Sequence, residues 1–159
     1  MRLLLLPLLL VLPACSPQAA ERSPAPAEQQ ASVHPVSGLE VIPLTVTSLG
    51  KKHTFRVEMA RTDEEQARGL MFRTEMGADE GMLFPYDPPR VLSFWMRNTV
   101  LSLDLVFIGP DRRVINVAAN AVPYSEESIL SDAPGIAVLE LNAGRAAELN
   151  IVAGATVDW

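Results

Sequence analysis

An alternation of apolar and polar side chains with a period of two constrains the fold of this chain most strongly. The clearest case is residues 53–59, in which Phe55, Val57 and Met59 are apolar and the residues between them are polar. Successive side chains of a β-strand point to opposite faces of a sheet, so this pattern predicts a half-buried strand. The chain is therefore expected to fold around a sheet.

Further short segments of this kind follow, and turn signals separate them. Strands are predicted at residues 39–47, 53–59, 91–96, 101–108, 113–118, 136–141 and 156–159. Residues 109–112 predict a hairpin loop. A capping box at 62–65 predicts a short helix that ends near Gly69, and residues 144–149 predict one more. Many strands with two small helices indicate a mainly β domain, either a β-sandwich or a closed barrel.

The N-terminal residues predict export. Arg2 supplies a positive charge, and an apolar run follows at 3–12. This run is shorter than the roughly 20 apolar residues that span a bilayer, and it is typical of a secretory signal. Residues 12–15, Leu-Pro-Ala-Cys, resemble a lipobox, the bacterial lipoprotein signal in which the cysteine is acylated. We therefore expect a signal peptide at 1–14 and lipidation of Cys15.

An ordinary signal cleavage near Ala14 or Ala20 is the alternative, and it would leave Cys15 either discarded or as a free thiol. Cys15 is the only cysteine, so no internal disulfide can form. The residue after it is Ser16, whereas the resemblance to lipoproteins implies that an aspartate there would favour retention in the inner membrane. The predicted location is the cell envelope, facing the periplasm, with the outer membrane favoured.

The rest of the chain divides into a tether and one domain. Residues 15–38 are rich in Pro, Ala, Ser and Gln, a composition that buries little apolar surface, and they predict a disordered tether. Residues 39–159 suit a single domain. The formal net charge of −6 becomes −7 once Arg2 is removed with the signal, and the basic residues are scattered. Nucleic-acid binding is not expected, because it depends on basic patches.

Five blocks of sequence suggest a family. They read Gly-Leu-Met-Phe-Arg at 69–73, Gly-Met-Leu-Phe at 81–84, Phe-Trp-Met-Arg-Asn-Thr at 94–99, Leu-Asp at 103–104 and Val-Leu-Glu-Leu-Asn-Ala-Gly at 138–144. Together they resemble the family known as domain of unknown function 192, over nearly all of residues 55–157. The resemblance implies a compact, mostly β domain of jelly-roll type. It implies no assigned reaction.

Asp104 is the first candidate site residue, since a carboxylate among apolar neighbours in a strand needs a partner. In the structural interpretation, it pairs with an arginine or with backbone N–H groups and holds a turn in place. In the functional interpretation, Asp104, Arg73 and Arg97 form the polar wall of a pocket for a small polar or anionic ligand. Asn98 and Thr99 lie beside Arg97 in sequence, and Trp95 is a candidate cleft-lining ring.

Glu140 is the second candidate, and three interpretations stay open. It can be an exposed or cross-strand-paired side chain, or it can contact a ligand. It can also act with Asp104 as the acid and base of an envelope hydrolase, which requires the two carboxylates at roughly 5 to 9 Å from each other. Sequence gives no such distance.

Other chemistry finds little support in the sequence. The predicted domain has no cysteine and one histidine, His53, and no zinc or calcium ligand spacing, so no catalytic residue, metal or cofactor is predicted. Five methionines lie between residues 59 and 96: Met59, Met71, Met76, Met82 and Met96. They are either core packing or a thioether Cu(I) site.

The sequence thus predicts a lipid-anchored protein of the cell envelope that acts as a non-catalytic binding or accessory module. Its expected partners are the membrane, through the anchor, and a small polar or anionic ligand or an envelope protein. The candidate ligand-binding residues are Arg73, Trp95, Arg97, Asn98, Thr99, Asp104 and Glu140. The hydrolase and the Cu(I) module remain the alternatives.

Overall fold

The computed structural model describes residues 32–159 of the chain. Within this range, ten strands and two short helices follow one another along the chain. In order they are β1 (Ser32–Val33), β2 (Glu40–Ser48), β3 (Lys51–Met59), α1 (Asp63–Arg68), β4 (Glu80–Arg90), β5 (Ser93–Phe94), β6 (Leu103–Ile108), β7 (Val114–Ala121), β8 (Ile129–Leu130), β9 (Gly135–Asn142), α2 (Arg145–Glu148) and β10 (Thr156–Asp158).

One mixed sheet forms the scaffold, and its strands have the order β1-β2-β3-β4-β9-β6-β7. All neighbours are antiparallel except β3 and β4, which are parallel. β10 pairs with β2, and it also meets the start of β7 through a bridge between Arg113 and Thr156. β10 therefore links the two ends of the sheet, and the strands close into a barrel.

The barrel interior is filled by apolar side chains that point inward from successive strands. Phe55 and Val57 come from β3, Leu83 from β4 and Leu139 from β9, and all of them are buried in one cluster. α2 contributes Ala146 to the same cluster. The period of two seen in the sequence at residues 53–59 thus corresponds to inward positions of β3.

A second apolar layer lies on the outer face of β4, β6 and β9. Its buried cluster includes Phe84, Leu105, Phe107 and Val138, together with Met96 from the loop that follows β5. All six residues of β6 are buried, because the barrel interior covers one face of the strand and this layer covers the other. The protein therefore has two cores separated by one sheet.

The connection between the parallel strands β3 and β4 helps to build this outer layer, and it carries α1. Thr62 caps α1 by accepting a hydrogen bond from the Glu65 backbone N–H, and the Glu65 carboxylate accepts one in return from the Thr62 N–H. The helix ends at Gly69, which has a positive φ of 46°. Gly69 suits this conformation because it has no Cβ.

The fold class predicted from the sequence is confirmed: the domain is mainly β, with two short helices. The capping box and the hairpin after β6 form as expected. The predicted strand at 91–96 is wrong in extent, because only Ser93 and Phe94 pair, with β8. The long strand β4 lies just before it and was not predicted.

The predicted tether falls largely outside the described residues, as do the predicted signal peptide and Cys15. Residues 32–38, at the end of the predicted tether, form β1 and a turn on β2, with Ser32 opposite Val41. The described fold thus includes residues before Leu39. Among the described helices none is long and apolar enough to cross a bilayer.

Candidate functional site

A cavity of about 330 Å³ lies between the outer face of the sheet and the segment that covers it. The end of α1 and the residues after it form one wall, and β5 with the residues that follow forms another. The sheet supplies the floor through β4 and β9. The cavity is therefore part of the outer layer and is separated from the barrel interior by the sheet.

Glu140 from β9 is the acidic group of this cavity. It lies opposite Met82 of β4 and opposite Leu105 of β6, so its side chain shares the outer face with them. Only 5% of the residue is exposed. Burial raises the pKa of Glu140 from 4.5 to about 8, and no hydrogen bond from the described residues offsets this desolvation.

Aromatic rings line the cavity around Glu140. Phe84 and Phe94 pack edge to face with 5.1 Å between ring centroids, and Tyr86 meets Phe94 in the same manner at 6.3 Å. Burial raises the pKa of Tyr86 to about 12, the nearby Arg90 opposes this rise, and the charge of Glu140 adds to it. The Tyr86 hydroxyl therefore lies within the electrostatic field of both charged groups.

Two arginines, Arg68 from the end of α1 and Arg90 from the end of β4, also line the cavity. The guanidinium of Arg90 stacks on the Tyr86 ring, 4.6 Å from its centroid. Neither arginine forms a salt bridge with a carboxylate anywhere in residues 32–159. Their positive charges thus remain available to a ligand in the cavity.

Two other polar side chains of the cavity wall, Gln66 and Thr99, already have partners. The Gln66 amide donates to the carbonyl oxygens of Ala60 and Pro85, at 3.2 and 2.8 Å. The Thr99 hydroxyl donates to the carbonyl oxygen of Arg97 at 3.2 Å. These interactions hold the wall in place, and they leave Glu140 without a donor from the described chain.

Three of the residues predicted from the sequence line this cavity, namely Trp95, Thr99 and Glu140. Arg97 lies next to the cavity and not in its wall: its guanidinium is 5.3 Å from the centroid of the Trp95 ring and 3.8 Å from the Glu126 carboxylate. Asn98 shapes the adjacent turn. It has a positive φ of 55°, and its carbonyl oxygen accepts a hydrogen bond from the Phe72 N–H.

Arg73 lies away from the cavity, where it neutralises a different carboxylate. Its guanidinium donates to both oxygens of Glu58, at 2.9 and 3.0 Å, and both side chains are buried or nearly so. Ser37 also donates to Glu58, and His34 lies 3.6 Å from it. Glu58 on β3 thus joins the barrel both to the turn after β1, through Ser37, and to the segment after α1, through Arg73.

Asp104 also lies outside the cavity, on the opposite face of the sheet. It is opposite Leu141 in the pairing of β6 with β9, so it points into the barrel. Its two oxygens accept hydrogen bonds from the Asn120 and Ala146 backbone N–H groups, at 2.8 and 2.9 Å. The expectation that Arg73 or Arg97 pairs with Asp104 is therefore wrong, whereas the alternative, pairing with backbone N–H groups, is confirmed.

The hydrolase alternative loses its geometric basis. Asp104 and Glu140 point to opposite faces of one sheet, so they do not converge on a cleft as an acid and base pair requires. Of the methionines, Met59 is buried in the barrel interior, whereas Met82 and Met96 are buried in the outer layer and Met76 packs against that layer. Among residues 32–159, no group of three His, Cys, Asp or Glu side chains could hold a metal ion.

A second concavity, of about 570 Å³, lies between the turn after β1 and α1. Arg73 and Glu65 line it, but Arg73 is paired with Glu58, and Glu65 is engaged in the capping box. This groove thus offers no counterpart of the unpartnered Glu140.

Several cavity residues were not predicted from the sequence: Gln66, Arg68, Phe84, Tyr86, Arg90 and Phe94. A period of two was present at Met82, Phe84 and Tyr86, and it would have placed the three side chains on one face. The two prolines that follow, Pro88 and Pro89, masked this signal because proline is uncommon inside a sheet.

Comparison with family models identifies one family. The model of domain of unknown function 192 (DUF192), described as an uncharacterized ACR, matches residues 44–159. A crystal structure of a protein of unknown function from Novosphingobium aromaticivorans is similar, with 56% identity, a TM-score of 0.80 and coverage of 81% of this chain and 92% of that one.

A second similar crystal structure is that of a candidate transcription regulator from Sinorhizobium meliloti. It is 36% identical, with a TM-score of 0.74 and coverage of 76% of this chain and 94% of that one. No curated protein gives a significant match.

Proposed function

The chain belongs to the DUF192 family, and from that premise we propose that it is a lipid-anchored, non-catalytic binding module of the cell envelope that holds a small polar ligand in the Glu140 cavity. One observation carries the binding proposal: a glutamate residue that is 95% buried, and whose carboxyl group has no hydrogen-bond donor from the described chain, lines an aromatic cavity. Membership of this family, which is described as uncharacterized, does not imply a particular activity.

The energetics of Glu140 favour a ligand. Burial removes most of the Glu140 side chain from water, and this desolvation destabilises the ionised carboxylate. Glu140 lies between Met82 and Leu105 on a face that is otherwise apolar. A molecule in the cavity that donates to the carboxyl group would remove this cost.

The size and composition of the cavity support the same function. Ligand pockets typically have volumes of roughly 300–1,000 Å³ and combine apolar walls with a few polar groups. Here the walls are aromatic, the volume is about 330 Å³, and the charged groups are Arg68, Arg90 and Glu140. Among residues 32–159, Glu140 is the one acidic residue that lines the cavity, which supports binding over hydrolysis by a pair of carboxylates.

The proposed location rests on residues 1–15. The charged start, the short apolar run and the Leu-Pro-Ala-Cys sequence support export and acylation of Cys15. The mature protein would then reach the periplasm on a lipid, with the outer membrane favoured.

Nucleic acid is not a partner in this proposal, although one similar protein is described as a candidate transcription regulator. The net charge of −6 is unfavourable for contact with a phosphate backbone. The two cavity arginines are exposed, and acidic residues are more numerous than basic ones in the chain as a whole, with 19 Asp and Glu against 13 Lys and Arg.

A thermal-unfolding screen of small envelope metabolites tests the binding function. We expect at least one compound to raise the unfolding temperature of the wild type, and the rise to disappear in Ser93→Trp, because the indole would fill the cavity. Thr54→Trp on β3 is the matched control, since Thr54 is exposed and does not line the cavity. A screen without hits, or hits unaffected by Ser93→Trp, would contradict the proposal.

Metabolic labelling with an alkynyl fatty acid tests the anchor. We expect the wild type to carry the label and to sediment with outer membranes, and Cys15→Ser to lose both properties. Membrane association without label in the wild type would refute lipidation at Cys15.

A further inference from the structure

We propose that the ligand is a small amphoteric molecule of the α-amino acid type, with its ammonium group at Glu140 and its carboxylate at Arg68 and Arg90. This inference rests on the proposed function and specifies its ligand class. It follows from three features of the cavity, which are the acidic group, the aromatic walls and the two arginines.

Glu140 receives no hydrogen bond from the described chain, so we expect the ligand to supply the donor. An ionised carboxylate only accepts hydrogen bonds, and the nearby donors Gln66 and Thr99 are engaged with carbonyl oxygens. An ammonium group offers three donors and a compensating charge, so its hydrogen bonds to Glu140 would be charge-assisted. An amine therefore matches this end of the cavity.

The aromatic walls suit both the amine and an apolar side chain. Phe84, Tyr86 and Phe94 are packed edge to face and line one cavity with Glu140. Ring faces attract cations, and ring edges pack well against other aromatic groups. An amino acid with an aromatic or large apolar side chain would use these surfaces.

The two arginines indicate that the ligand carries an anionic group in addition to its amine. Arg68 and Arg90 have no carboxylate partner among the residues that the structure describes. A ligand with positive charge alone would meet two guanidinium groups of like charge. A ligand carboxylate would instead accept paired hydrogen bonds from a guanidinium, whose planar donors match its two oxygens.

The titratable and charged groups that line the cavity are Arg68 on α1, Tyr86 and Arg90 on β4, and Glu140 on β9. Burial keeps Glu140 protonated near neutral pH, with a pKa of about 8. An ammonium ligand favours the ionised form, so its binding releases a proton from Glu140 below pH 8. Affinity should then rise about tenfold per pH unit between pH 6 and pH 8.

Titration calorimetry of the full chain with three matched probes tests the ligand class. L-Phenylalanine carries both charged groups, 2-phenylethylamine lacks the carboxylate, and 3-phenylpropionate lacks the ammonium group. We expect phenylalanine to bind at least tenfold more tightly than either analogue at pH 8, and more weakly at pH 6 than at pH 8.

Two variants test which residue contacts the ammonium group of the ligand and which contacts its carboxylate. Glu140→Gln should remove the advantage of phenylalanine over 3-phenylpropionate, and Arg90→Gln should reduce its advantage over 2-phenylethylamine. Arg56→Gln is the control, because Arg56 is an exposed arginine on β3 outside the cavity. Unfolding temperatures of all variants verify that they fold.

The possible outcomes separate this inference from the proposed function. If 3-phenylpropionate binds best and its affinity falls from pH 6 to pH 8, Glu140 acts as a neutral donor to an anion, which overturns the amphoteric ligand and leaves the binding module intact. The same holds if none of the three probes binds while the metabolite screen gives hits that Ser93→Trp abolishes. If neither experiment detects binding, both proposals fail.

Discussion

Asp104 and Glu140 are buried carboxylates on adjacent strands, and they differ in what surrounds them. Asp104 points into the barrel and accepts two backbone N–H groups, one from Asn120 and one from Ala146 at the start of α2. Glu140 points to the outer layer and has no donor from the described residues. Burial of a carboxylate alone therefore does not identify a ligand site. The presence of hydrogen-bond donors at Asp104 and their absence at Glu140 distinguish the barrel interior from the cavity.

Glu58 gives a third case between these two. It is 4% exposed, but Arg73 forms two hydrogen bonds with it, and Ser37 adds another. Asp104 and Glu58 thus have the partners expected of groups that stabilise a fold, whereas Glu140 has no hydrogen-bond donor among the described residues. The following experiments measure this difference.

The largest change in the free energy of unfolding is expected for Asp104→Ala. The substitution leaves two N–H groups without their charged acceptor, at the joint between β6, β7 and α2. We expect the free energy of unfolding to fall by about 4 kcal/mol, the sum of two such interactions. Urea denaturation measures it, with the exposed Asp111→Ala as control. A loss below about 1 kcal/mol would contradict the structural role of Asp104.

The second effect concerns the pH dependence that Glu140 imposes. Its folded-state pKa of about 8 exceeds the ordinary value of 4.5, so between these values the native state holds a proton that the unfolded state has lost. The free energy of unfolding therefore decreases as pH rises, by up to about 1.4 kcal/mol per pH unit. The stabilisation is fully present below pH 4.5 and is lost by pH 8.

Glu140→Gln isolates this contribution, because it removes the titrating group and leaves all others. Relative to the wild type, the variant should gain about 3 kcal/mol between pH 5 and pH 8. Urea denaturation of both proteins at the two pH values provides the comparison. Equal pH profiles would show that Glu140 is solvated and would remove the basis for the cavity as a ligand site.

The smallest change in the free energy of unfolding is expected for Arg73→Gln. The substitution leaves Glu58 with Ser37 and His34 as its remaining partners, so we expect a loss of about 2 kcal/mol, less than for a fully isolated buried charge. Urea denaturation measures this loss, and the ligand affinity should be unchanged because Arg73 does not line the cavity. A large loss of ligand affinity would show that the binding site includes the turn after β1.

Much of the scaffold was predictable because it depends on local patterns. The alternation at 53–59 identifies β3, and the capping box identifies α1. β4 was missed because a nearly continuous apolar run followed by Pro85, Pro88 and Pro89 hides the alternation of Met82, Phe84 and Tyr86. A strand that is buried on both faces has no polar face to reveal its period.

The candidate site was predictable only in part, because strand register is a long-range property. Sequence identified Asp104 and Glu140 as unusual, but the pairing of β6 with β9 decides that they lie on opposite faces. A shift of one residue would exchange these faces. Similarly, nothing local to Arg73 indicates that Glu58 is its partner.

The closure of the barrel by β10 has a consequence for biogenesis. Thr156 pairs with Thr47, so the ring is completed only after more than 100 further residues have been synthesised. Contacts between such distant residues form slowly. If the chain is exported as proposed, this delay keeps the polypeptide unfolded during passage through a narrow translocation pore, and folding is completed on the far side of the membrane.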